Sequence, residues 1–176
     1  MKAQPVASLD LPARTPSDVR LSLLAAIATA LHVAEAALPT FGPVKPGFAN
    51  AVVLVVWKNY GLKPALTVNL LRLACGALLS GSLISPRFGL AAAGFVLSST
   101  GLCFGKKLTQ KGVSMYGLSV LCAWLHMLGQ LLALRLCLPD FPLGGAAPWL
   151  LGYALLAGLA TGWLATQLDK PQGATS

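Results

Sequence analysis

Six apolar runs, at residues 21–38, 48–57, 62–84, 88–104, 113–138 and 147–168, make up most of this 176-residue chain, with polar residues concentrated in the gaps between them. A helix of about 20 apolar residues crosses the roughly 30 Å hydrocarbon core of a bilayer. Five runs meet or approach that length, and the run at 48–57 is about half of it. The charge content agrees: charged residues are 10% of the chain, where a soluble domain carries about 25%. Too few charges remain to cover a water-facing shell. A soluble globule is excluded, and the fold expected is an all-α membrane bundle.

Charge placement sets the expected topology. With six crossings and the N-terminus inside, Lys2, Arg14, Arg20, Lys58, Lys63, Lys106, Lys107, Lys111 and Lys170 are cytoplasmic. Only Lys45 and Arg87 then lie outside, with Arg72 and Arg135 inside spans. Five crossings would put most of the loop cations outside, so the positive-inside rule selects six helices with N- and C-termini cytoplasmic. Residues 1–19 read as a flexible cytoplasmic tail, 20–168 as the transmembrane domain and 169–176 as a cytoplasmic C-terminal tail. Ala34-Glu35-Ala36 resembles a signal-peptidase site, but the long acidic-containing stretch before it, with Asp10 and Asp18, argues for a retained helix.

The net charge of +8 follows from these loop clusters, so no nucleic-acid partner is implied. Cys75, Cys103, Cys122 and Cys137 lie inside apolar runs without metal-ligand spacing and read as packed thiols. No GxxxxGK[ST], HExxH or GxSxG motif is present. The five acids, Asp10, Asp18, Glu35, Asp140 and Asp169, are too dispersed to hold magnesium on a diphosphate. The chain is therefore expected to be non-catalytic, with no metal or cofactor of its own.

Function is expected where polar residues interrupt the apolar runs, because ionisable groups there cost about 2.5–3.5 kcal/mol each on insertion scales. They come in pairs at helical spacing: His32 with Glu35, Asn69 with Arg72, and His126 with Gln130. At roughly 1.5 Å per residue from the cytoplasmic ends, Arg72 lies about 15 Å deep, and His32, Glu35, His126 and Gln130 about 18–26 Å. With Lys45 and Asn50 at the outer side, the set predicts an outward-facing pocket for a small anionic or polar-headed ligand. The segment 39–50, with Pro39, Gly42 and Gly47, is its expected gating loop. A structural Glu35–Arg72 ion pair is the plainer alternative, and Arg135, near a helix end, is expected to snorkel. Ala26, Ala30 and Ala34 on the first helix and Gly158 and Gly162 on the last are small-xxx-small stripes. Such stripes pack helices within the bundle or dock a membrane partner.

Glu35-x3-Pro39, the string Val44-Lys45-Pro46-Gly47-Phe48-Ala49-Asn50, Leu71-Arg72, Gly76, Gly81, Ser85-Pro86 and His126-Met127-Leu128-Gly129-Gln130 together resemble the Gx transporter family. That family is also labelled heptaprenyl diphosphate synthase component I, and the likeness covers residues 21–168. Met127 departs from it, since the family usually has Asn after His. The resemblance implies a six-helix fold similar to the substrate-binding S components of energy-coupling factor transporters. In those, the first outer loop closes over the ligand, and small residues on the first helix dock a transmembrane coupling subunit with its ATPases. It also implies an alternative: an accessory subunit of a bacterial inner membrane, beside a prenyl synthase in isoprenoid or menaquinone synthesis or beside a flavoprotein in electron transfer. On the first reading the ligand is a small anion or a prenyl- or quinone-type molecule.

Overall fold

The computed structural model describes residues 17–37 and 47–169. Six helices follow in order: α1 (Asp18–Ala37), α2 (Phe48–Tyr60), α3 (Leu62–Leu79), α4 (Pro86–Gln110), α5 (Met115–Cys137) and α6 (Leu143–Leu168). There is no strand among the described residues. By length and composition, α3, α4, α5 and α6 are each able to cross a membrane. The surface is that of a chain facing lipid. Ile84 is 100% exposed, Trp149 83% and Leu136 82%, while Glu35, Asn69 and Arg72 are buried. Such an inversion is stable only where the outside is apolar.

Local sequence explains most helix ends. Pro86 opens α4, where its missing N–H is one that the first turn leaves unused anyway. The Ser114 hydroxyl accepts from the Gly117 N–H at 3.2 Å and caps α5. A single residue, Gly61, at φ 90, joins α2 to α3, a backbone geometry that favours glycine. The apolar run at 62–84 yields a helix only to Leu79, because Ser80 and Gly81 turn the chain. Conversely, α4 runs past its apolar stretch through Lys106 and Lys107, residues that end hydrophobicity without breaking a helix. In the same way α6 begins four residues before its run and tolerates Pro148 close to its start.

Packing brings α1 against α2 and α3, and threads α4, α5 and α6 into a second, closely packed layer. Glycines set the closest approaches. A Cβ on Gly129 would lie 2.5 Å from the Ala93 carbonyl oxygen, and one on Gly158 2.7 Å from Val120 Cα. One on Gly162 would lie 3.0 Å from Tyr116 Cα. Gly158 and Gly162 are thus covered by α5 within the chain, and their face is not open to a partner helix. Ala26, Ala30 and Ala34 are exposed along α1.

The innermost element is the shortest. Ala49, Ala51, Val52, Val53, Leu54 and Val56 of α2 are all buried, and its neighbours include α1, α3 and α6. Its C-terminal end is tied to α6: Lys58 pairs with Asp169, and Asn59 Nδ2 donates to Asp169 at 2.7 Å. Trp57 Nε1 donates to the Leu102 carbonyl of α4 at 3.1 Å. At 13 residues, α2 is about 20 Å long. Its N-terminus therefore ends among the other helices, beside Glu35 of α1 and Thr161 of α6.

Candidate functional site

A helix that begins inside a bundle exposes N–H groups that water would otherwise satisfy. Here the Phe48 N–H donates to Glu35 Oε1. A carboxylate at this position also meets the positive end of the α2 dipole. The Thr161 hydroxyl donates to the Gly47 carbonyl at 3.3 Å, and the Asn50 N–H donates to the same oxygen at 2.9 Å. Gly47 holds φ 78, and a Cβ there would press on Thr161 Oγ1 and Asn50 Nδ2. The left-handed φ is what favours glycine there, since these side-chain contacts, at 3.3 and 3.4 Å, ask for only a small adjustment.

Glu35 acts electrostatically on Arg72 of α3, and Arg72 in turn on His126 of α5. Arg72 is 6% exposed, and its Nη2 donates to Asn69 Oδ1 at 2.7 Å, along one face of the helix. Its Nε has no hydrogen-bond partner among the described residues. Because Asn69 commits its carbonyl oxygen to Arg72, its NH2 group remains as a donor. His126 Nε2 lies 3.1 Å from Gln130 Nε2. With the Gln130 NH2 group donating, the imidazole nitrogen is the acceptor of this contact.

Both histidines rest on glycines. A Cβ on Gly94 would fall 2.7–2.9 Å from three atoms of the His126 ring, and one on Gly76 would fall 2.5 Å from His32 Cδ2. These glycines leave room for an imidazole against the neighbouring helix.

Between these groups is a cavity of about 30 Å³, room for a water molecule or two. Asn50, Asn69, Ser98, Ser119, His126 and Thr161 supply its polar wall, and Cys122 lies one turn from His126 on the same face. Ser98 and Ser119 donate to the carbonyls of Phe95 and Gly158, at 3.1 and 2.7 Å. Their hydroxyls, like that of Thr161, are thereby anchored to backbone.

The sequence-derived set thus divides. Asn50, Asn69 and His126 line the cavity. Arg72 and Gln130 hydrogen-bond to wall residues, and Glu35 holds the start of α2. His32 lies outside the cavity wall, on the α1–α3 seam over Gly76. Lys45, Pro39 and Gly42 lie outside the described residues. Sequence reasoning missed Ser98, Ser119, Thr161, Cys122 and Gly94. Isolated hydroxyls in apolar runs carry no pairing signal, although Cys122 is four residues from His126 and Thr161 lies within the Gly158–Gly162 stripe.

Fold and site together define a helical multi-pass membrane protein built around a small polar centre. A family model described as heptaprenyl diphosphate synthase component I matches residues 24–168. The chain belongs to that family. Searches of curated proteins and of solved structures returned no match.

Proposed function

We propose that this chain crosses a bacterial inner membrane six times, with both termini cytoplasmic, and holds a small anionic or polar-headed ligand at its centre as a substrate-capture subunit. Arg72 carries this reading. A guanidinium removed from water with an unmet Nε, beside an Asn69 amide turned donor, is a poor way to build an inert core and a good way to receive an acceptor-rich group. The cavity's present size means that a ligand enters as the helices around it separate. The exposed stripe Ala26, Ala30 and Ala34 is where a coupling subunit with its ATPases would approach.

The family favours a second reading, a non-catalytic accessory subunit assembled with a prenyl synthase or a flavoprotein. Affinity purification separates the two: an ATPase module supports capture, and a synthase or flavoprotein supports the accessory role. Native mass spectrometry of the detergent-purified protein tests the central site directly. We expect a retained small molecule that is lost in Arg72→Leu and weakened in Asn50→Ala. Unchanged retention in both variants would refute the site.

A further inference from the structure

A larger opening has no part in the central site. It is a cleft of about 590 Å³ between α5 and α6, at the end where the 138–142 connection joins them. Leu128, Leu132, Leu143, Ala147 and Leu151 form its walls. From Leu128 to Arg135 the wall rises seven residues, about 10 Å. Two opposite charges, Arg135 and Asp140, line the same cleft at its connection end.

These two charges are not bonded to one another. Arg135 Nη1 donates to the Pro139 carbonyl, which steadies the guanidinium and leaves its other donors available. Asp140 has no hydrogen bond or ion pair among the described residues, and both side chains are exposed. An apolar slot topped by a separated cation and anion has the charge pattern of one lipid class. We infer that the cleft holds a phosphatidylethanolamine molecule, with one acyl chain between α5 and α6, its phosphate on Arg135 and its ammonium on Asp140.

Charge complementarity decides the headgroup. Phosphatidylglycerol offers the phosphate but no cation for Asp140, and meets that carboxylate as a like charge. Phosphatidylcholine has a cation without N–H donors, so it forms no charge-assisted hydrogen bond with Asp140. Burial of an acyl chain contributes about 0.8 kcal/mol per CH2 to any of these lipids, so the chain supplies affinity and the two charges supply choice.

The test is lipid retention. The full-length protein is equilibrated in detergent with equal amounts of phosphatidylethanolamine, phosphatidylglycerol and phosphatidylcholine of identical chains, and the lipid kept through purification is quantified by mass spectrometry. Phosphatidylethanolamine should be enriched at least fivefold over either competitor. Asp140→Asn should remove most of that preference while lipid is still retained, and Arg135→Gln should lower retention of all three. Both positions are exposed, so neither exchange threatens folding. Leu132→Trp, at an exposed wall position, narrows the slot and should lower retention of all three lipids. Retention in the proportions supplied, enrichment of phosphatidylglycerol, or a preference unchanged in the Arg135→Gln/Asp140→Asn double variant would overturn the inference. None of these readouts depends on the central cavity.

Discussion

Removing the Glu35 carboxylate tests the core of the site, because that group performs two separable tasks. It accepts from the Phe48 N–H at the part-buried start of α2, and its charge acts on Arg72. In Glu35→Ala the N–H loses its acceptor, which costs about 1–3 kcal/mol for a buried donor. Arg72 also loses an opposite charge that acts on it without ion-pair contact, which adds about 1–2 kcal/mol. The sum, about 2–5 kcal/mol, is a large fraction of the stability of many domains. Glu35→Gln keeps an acceptor oxygen and removes only the charge, so about half of that loss is expected.

The discriminating measurement is a double-mutant cycle with Arg72→Met, read by thermal or SDS-induced unfolding in bicelles. If the two charges balance each other, the Glu35→Gln/Arg72→Met double variant should be more stable than the sum of the single effects by about 1–2 kcal/mol. Additivity within about 0.5 kcal/mol would mean that Arg72 is balanced elsewhere. A Glu35→Ala cost below about 1 kcal/mol would show that the α2 start has another acceptor. Either result would show that Glu35 does not couple the start of α2 to Arg72.

Other variants probe the remaining joints. Gly129→Ala drives a methyl into the α4 backbone at Ala93 and should lower stability by about 3 kcal/mol or more, whereas Gly152→Ala meets nothing within 4 Å and should be neutral or slightly stabilising by unfolding in the same bicelles. Gly94→Ala displaces the His126 ring and should cost about 1–3 kcal/mol, with His126→Ala restoring most of the loss if the clash is the cause. Ser114→Ala removes the α5 cap and should cost about 1 kcal/mol. Asp169→Asn weakens a clasp whose Lys58 partner is half exposed, so no more than about 1 kcal/mol should be lost, and less at high salt.

The pairs Asn69/Arg72 and His126/Gln130 were legible in the sequence because helical spacing alone puts each on one face, and both hydrogen bonds form. The polar set was read as converging on the middle and outer half of the bundle, and three of its members, Asn50, Asn69 and His126, line one cavity. Two kinds of information were not legible. Neighbour identity across helices depends on crossing angles, so nothing in the sequence indicated that Gly94 would seat His126 or that Ser119 would face Gly158. Small-residue stripes name a close approach without naming the partner. The Gly158–Gly162 stripe meets α5 within the chain, while the similar alanine stripe on α1 stays open.

The short apolar run at 48–57 and the acid at position 35 look like two separate anomalies in the sequence, yet they have one cause. A 13-residue helix is about 20 Å long, and its start is held beside Glu35 of α1 and Thr161 of α6. Unsatisfied N–H groups cannot remain there, and a carboxylate is the strongest acceptor available. Glu35 supplies that carboxylate, and Arg72 brings an opposing positive charge into its range. Asn69 then holds the guanidinium in place. Once these internal demands are met, the Asn69 NH2 group and the Asn50 side chain remain on the cavity wall, and the buried Arg72 Nε is without a hydrogen-bond partner among the described residues. They exceed what packing a short helix requires, and all three can donate. That surplus of donors, rather than the burial of charge itself, argues for a ligand at the centre, and it favours an acceptor-rich one over an apolar one.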